Sequence, residues 1–182
     1  MDPCRGGAGA WRRESERGPS VAEFLAGWHV ADGFDSAVVR ARAHELLHAE
    51  GIGAFSVVSR GQPSIWTCFL AVDAPDCVSI LTSRSSEHGA ALGPNSGVSM
   101  NVFRRPQFWG APIFGVQARG VVESVGQSRS EAAYARRFPE YSEWLGAGGT
   151  TDSSFFSIRF ESIKLIDEET FGEETYVVMR AQ

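Results

Sequence analysis

Lysine is nearly missing from this chain. Of 17 basic side chains, Lys164 is the sole lysine and the other 16 are arginines. A site for phosphate or another anion must therefore draw on arginine, histidine, hydroxyls or backbone N–H groups, and the planar fork of arginine suits a phosphate bidentately. Long apolar runs are missing too. None approaches the ~20 residues of a membrane-spanning helix, so no membrane partner is expected, and no apolar stretch follows the charged N-terminus as a signal peptide would require. Cysteine is scarce: Cys4, Cys68 and Cys77 are scattered and odd in number, which fits a reduced, cytoplasmic protein better than a disulfide scaffold. No CxxC or HExxH pattern is present to hold zinc, and no GxGxxG to open a dinucleotide fold. Net positive charge is absent as well; a net charge of -5 argues against nucleic acid as a partner.

What is present suits one ordinary domain. The chain has 182 residues, 43% apolar and 21% charged, enough for a sizeable core. Residues 1–20, rich in Gly, Arg, Ser and Glu, read as a flexible leader, and 21–182 as a single domain. "VAEFLAGWHV" (Val21 to Val30) has apolar residues at helical spacing, and Asp35 or Ser36 caps a helix that ends at Gly51. From Ile52 the period changes to two. Strands are expected at Ile52–Ser59, Ser64–Val72, Cys77–Thr82, Gly97–Phe103, Ile113–Val125 and Phe155–Asp167, with a seventh in "ETYVVM". Gly115 and Gly120 mark bulges or tight bends. Ser128 or Ser130 caps a helix that stops before Pro139, with another helical turn at Tyr141 to Leu145. Six or seven short antiparallel strands with flanking helices make a mainly β (α+β) fold, a small β-barrel.

The stretch "SILTSRSSEHGAALGPN", Ser79 to Asn95, carries the most chemistry. An apolar strand runs into Thr82, Ser83, Arg84, Ser85 and Ser86, and a short helix follows. It reads either as a strand, a turn and a helix capped by Ser85 or Ser86, or as a cradle for an anion built from hydroxyls, Arg84, His88 and the free N–H groups of the helix. On the second strand, Ile65, Thr67 and Phe69 fall on one face and Trp66, Cys68 and Leu70 on the other. Trp66 offers a stacking surface and Thr67 a hydrogen bond to a flat cofactor, against plain core packing. Cys68 reads as a small buried hydrophobe. The loop "RRPQFWG" joins Arg104 and Arg105 to Phe108 and Trp109, which suits an anionic planar ligand, a dimer contact or a surface loop. His44 and His48 share a helix face at i and i+4, either as solvent-facing or partly buried residues or as metal ligands.

Together these segments resemble the FMN-binding split-barrel superfamily, the pyridoxamine 5'-phosphate oxidase-like group, and within it a poorly characterised bacterial branch. The likeness runs from about Ala43 to Asp167. Its most specific part is the pattern Thr-x-x-x-Ser-x-Lys after an apolar strand, met here by Thr82, Ser86 and His88, with Gly93-Pro94-Asn95 as the turn that follows; His88 stands where the family has lysine. The family's phosphate-binding arginine on the second strand falls at or near Trp66, leaving Arg84 as the nearest substitute. The "VQARG" segment places Gln117 where relatives have a polar residue beside the flavin. The resemblance implies a split barrel, a homodimer with the cofactor at its interface, and a flavin (FMN)-binding oxidoreductase acting on a small-molecule substrate. Trp66, Thr67, Thr82, Arg84, Ser86, His88 and Gln117 would hold the cofactor. Relatives also use a deazaflavin (F420) or haem; for haem the candidate ligands are His88, His44 and His48. A third alternative is a non-enzymatic ligand-binding or interaction protein that has lost the flavin.

Overall fold

The computed structural model describes residues 18–126, 128–149 and 152–182. The leader expected over 1–20 thus lies outside the described residues as far as residue 17. Among the described residues no helix is long and apolar enough to cross a membrane.

Among the described residues eight antiparallel strands form one sheet: β1 (His29–Val30), β2 (Ile52–Ser59), β3 (Gln62–Ala74), β4 (Cys77–Ser83), β5 (Gly97–Phe103), β6 (Phe114–Val125), β7 (Ser153–Asp167) and β8 (Tyr176–Arg180). Their order is β1-β8-β7-β4-β3-β2-β5-β6, and β6 also pairs with β7. That pairing closes a six-stranded barrel, β2-β3-β4-β7-β6-β5, and leaves β8 and β1 as an extension from β7. Each barrel strand has a neighbour on both edges, and β7, with 15 residues, is long enough for a third: one edge pairs with β4 along its first part and with β8 along its last, and the other pairs with β6 over most of its length. The register slips between Arg119 and Gly120, where a Cβ on Gly120 would come within 2.1 Å of the Arg159 carbonyl. The bulge expected at Gly120 is there; Gly115 lies in regular ladder.

Alternation decides what faces inward. β5 alternates exposed and buried along its whole length, burying Val98, Met100 and Val102. The interior is filled by Phe55, Leu70, Ile80, Val116, Phe156, Ile158 and Phe160, among others. Helix α1 (Ser36–Ala49) starts where the Asp35 carboxylate accepts from the Ala37 and Val38 N–H groups, and it buries Val39, Ala43, Leu46 and Leu47. The remaining helices among the described residues are α2 (Glu87–Ala91), α3 (Ser128–Arg137), α4 (Pro139–Gly146) and α5 (Glu168–Phe171).

One element differs from the sequence reading. Val21 to Gly27 forms turns instead of a helix, with positive φ at Leu25 and Gly27. A helix cannot continue through two such residues. The apolar spacing that looked helical serves to bury Phe24 and Leu25 in the core, and His29–Val30 then pairs with β8 as β1.

A polar node fastens α3 to the barrel. The Asp73 carboxylate on β3 is buried, and its Oδ2 accepts from Ser79 on β4, from Ser130 on α3 at 2.9 Å and from Ser157 on β7 at 3.1 Å. Arg129 stands 3.6 Å from the same oxygen.

Candidate functional site

The hydroxyl-rich turn joins β4 to α2 and is folded tightly on itself. Ser86 is the N-cap: its hydroxyl accepts from the Gly89 N–H at 3.1 Å and donates to the Ser83 carbonyl at 2.7 Å. Gly89 is required there, because a Cβ would lie 1.9 Å from that carbonyl. Thr82 Oγ1 and His88 Nε2 are 2.9 Å apart. The His88 ring stacks on Trp66, with centroids 4.6 Å apart and planes 7° from parallel, and Trp66 in turn stacks on Phe55. Burial lowers the His88 pKa, only partly opposed by Glu87, so the ring is neutral at pH 7. Ser83 and Ser85 both donate to the Asp152 carboxylate, at 2.8 and 3.3 Å, and the Arg84 Nε donates to Ser154 at 2.8 Å.

Four expected site residues, Trp66, Thr82, Ser86 and His88, are thus brought together. Arg84 belongs to the same turn but faces Ser154. Every hydroxyl of the turn has a partner within the chain, and the negative charge it faces is the chain's own Asp152. As folded, the turn offers a phosphate no uncommitted hydroxyl.

Thr67 and Gln117 lie elsewhere, on the outer face of the sheet. Strand register makes two rows across that face. One runs Thr67, Ala54, Asn101, Gln117, Lys164, Val178; the other Ile65, Ser56, Ser99, Arg119, Ser162, Arg180. Thr67 and Gln117 are three strand spacings apart, about 14 Å, too far to share one ligand atom. A groove of about 570 Å³ opens on this face; Asn101, Gln117, Arg119, Lys164 and Arg180 line it, and Thr67 does not. Among the described residues no acidic side chain lines it. The same face exposes Val58, Phe69 and Phe103 beside it, and Ile65, 75% exposed, within its lining.

No protein-family model matches the chain, and no curated protein matches it in sequence. Solved structures match it in fold. A heme-binding protein from Mycobacterium smegmatis aligns over 89% of this chain with a TM-score of 0.60 and 16% identity. This chain spans 58% of the length of that protein. HutZ, the heme storage protein of Vibrio cholerae, aligns over 68% of this chain and 90% of its own, with a TM-score of 0.54 and 16% identity. A FAD-binding protein from Mesorhizobium loti aligns over 85% of this chain and 99% of its own, at 0.52 and 14%. The chain is a split β-barrel. The likeness is one of fold, and it agrees with the architecture expected for the FMN-binding split-barrel superfamily.

In this split barrel the residues that sequence reasoning missed are Asn101, Arg119, Lys164, Arg180 and His29. Their signal was the period-two alternation of β5 to β8, but only the pairing of β6 with β7 and β7 with β8 brings them together. His29 opposes Arg180 in the ladder and so extends the second row. The loop cations are committed elsewhere: Arg105 pairs with Glu50 at 3.1 Å and Arg104 with Glu169 at 3.1 Å, while Phe108 and Trp109 stay exposed. The His44 and His48 rings are in contact, with centroids 4.0 Å apart and planes tilted by 32°. His44 Nε2 lies 3.2 Å from the Pro19 carbonyl, and His48 has its pKa pulled down to about 4 by burial and then by His44, Arg137 and Arg136. Among the described residues no group of three metal-ligating side chains forms. The Cys68 thiol is pushed up to about 12 by burial, which makes it an inert part of the interior.

Proposed function

We propose that this split barrel binds a flat, anionic cofactor of the flavin class in the outer groove, FMN by its sequence resemblance, and acts as an oxidoreductase on a small molecule. One observation carries the reading: Asn101, Gln117, Arg119, Lys164 and Arg180 line a single groove beside exposed apolar side chains. Its volume falls within the ~300–1,000 Å³ usual for small-molecule sites. Arg119, Lys164 and Arg180 would hold the phosphate, and Asn101 and Gln117 the polar edge of the ring. When bound, a flavin supplies transfer of a hydride or an electron pair through its ring N5. The chain's part is to bind, orient and shield. In this reading a second copy covers the face, its apolar surface meeting Val58, Ile65, Phe69 and Phe103; patches of this kind mark association sites. The hydroxyl turn serves to fix α2 against the barrel, with no direct hold on the phosphate. The setting is the cytoplasm, where Cys68 and Cys77 stay reduced.

Haem is the second reading. The M. smegmatis and V. cholerae relatives are named for it, and one observation favours it: of the four histidines, His29 alone lies on the outer face, opposite Arg180. An absorption spectrum of the purified protein separates the readings, since flavin gives bands near ~370 and ~450 nm and haem a band near ~400 nm. The flavin reading fails when FMN, FAD and a deazaflavin all show no saturable binding.

A further inference from the structure

A second hollow, of about 250 Å³, opens between α1 and α3 above β3. None of its lining residues lines the outer groove. Three of its walls are basic: His48, Arg136 and Arg137. Two of these carry buried polar atoms with no hydrogen-bond partner, His48 Nε2 and Arg137 Nε. Buried polar atoms are paired in more than ~90% of cases, so two orphans in one small hollow point to a missing partner. The Arg137 Nη2 is already held by the Ala49 carbonyl at 3.1 Å, which fixes the guanidinium and leaves its Nε–H to donate elsewhere. His48, held neutral at pH 7 by its surroundings, has one ring N–H to give.

The partner must accept from these donors and offset two guanidinium charges, because no acidic side chain is among the described residues that line the hollow. The rest of the lining is Gly18 and the apolar Leu47, Ala71, Val72 and Ala133. A phosphate would leave that floor uncovered, whereas a short alkyl chain would cover it. We infer that this hollow is a binding site for a small carboxylate with a short apolar tail, its carboxylate at His48, Arg136 and Arg137 and its tail on Leu47, Val72 and Ala133. The site is independent of the cofactor reading for the outer groove.

Calorimetric titration of the full chain with butyrate, its neutral analogue butyramide and inorganic phosphate tests this, read alongside NMR signals of the His48 ring. Butyrate is expected to bind saturably at one per chain and to move the His48 signals, while butyramide does not bind. Exposed Arg136 can be replaced without touching the core, and Arg136→Gln is expected to weaken butyrate about tenfold, the weight of one charge-assisted contact. Arg137→Gln should weaken it at least as much. The inference is overturned if butyrate leaves the His48 signals in place, which would mean that water alone fills the hollow. It is equally overturned if phosphate binds there and butyrate does not, or if Arg136→Gln and Arg137→Gln both keep the affinity of the parent chain.

Discussion

Replacing Asp73 by alanine removes a single acceptor that serves three hydroxyls. Ser79, Ser130 and Ser157 are each at most 1% exposed, and all three donate to Asp73 Oδ2. Without the carboxylate each hydroxyl keeps its burial and loses its acceptor. A buried group left unsatisfied costs about 1–3 kcal/mol; hydroxyls rotate and re-pair in part, so the low end applies, about 3 kcal/mol for the three. Arg129 is 44% exposed on its side chain, and its ion pair adds at most about 1 kcal/mol. For a chain of this size about 3 kcal/mol lowers Tm by roughly 6–12 °C. Urea titration followed by circular dichroism should show an earlier midpoint with an unchanged slope, because the surface exposed on unfolding is the same. Asp73→Asn keeps one acceptor oxygen and should cost about half as much. A loss under about 1 kcal/mol for Asp73→Ala would mean that the hydroxyls find other partners, and the node would not be what holds α3 to the barrel.

Three further outcomes follow from the same geometry. Gly89→Ala drives a Cβ into the Ser83 carbonyl and should cost about 2 kcal/mol or more, read by thermal unfolding and by faster amide exchange in α2; an unchanged Tm would show that the turn opens freely. Asp152→Asn exchanges an exposed contact and should change stability by less than about 1 kcal/mol, with no gain in flavin affinity as measured by fluorescence titration. The depressed His48 and His88 pKa values mean that the unfolded chain takes up protons first on acidification. Stability should therefore be full above about pH 6.5 and decline as the pH falls toward the folded His48 value of about 4. His48→Gln should flatten that decline by about 1–2 kcal/mol once solvent screening of a half-buried ring is allowed for; an identical pH profile would contradict the His48 environment.

The barrel strands were legible because burial on one face writes alternation into the sequence. β2 and β5 occupy the residues that their patterns indicate, Ile52–Ser59 and Gly97–Phe103. β1 was hidden: two residues carry no period, and the partner strand β8 lies some 150 positions away. The motif Thr82, Ser86 and His88 was readable as a unit, and the structure does gather it, together with Trp66. What spacing could not reveal is that Asp152 returns to the turn, or that the His88 ring lies flat on Trp66. The opposite parity of Trp66 and Thr67 was visible in the sequence, and it separates the two onto different faces. The two rows, one through Gln117 and Lys164 and the other through Arg119 and Arg180, were unreadable for a different reason. Each of these is an ordinary outward residue on its own strand, and only long-range pairing makes them neighbours.

The most direct test of the account is an FMN titration by flavin fluorescence on three proteins: the parent chain, Arg119→Met/Lys164→Met, and Ser86→Ala/His88→Ala. If the cofactor lies in the outer groove, the first pair of changes should weaken binding by about tenfold or more for each charge-assisted hydrogen bond removed, and the second should leave it near the parent value. Weakened binding in the turn variant with full affinity in the groove variant would contradict the assignment and return the phosphate to the turn between β4 and α2.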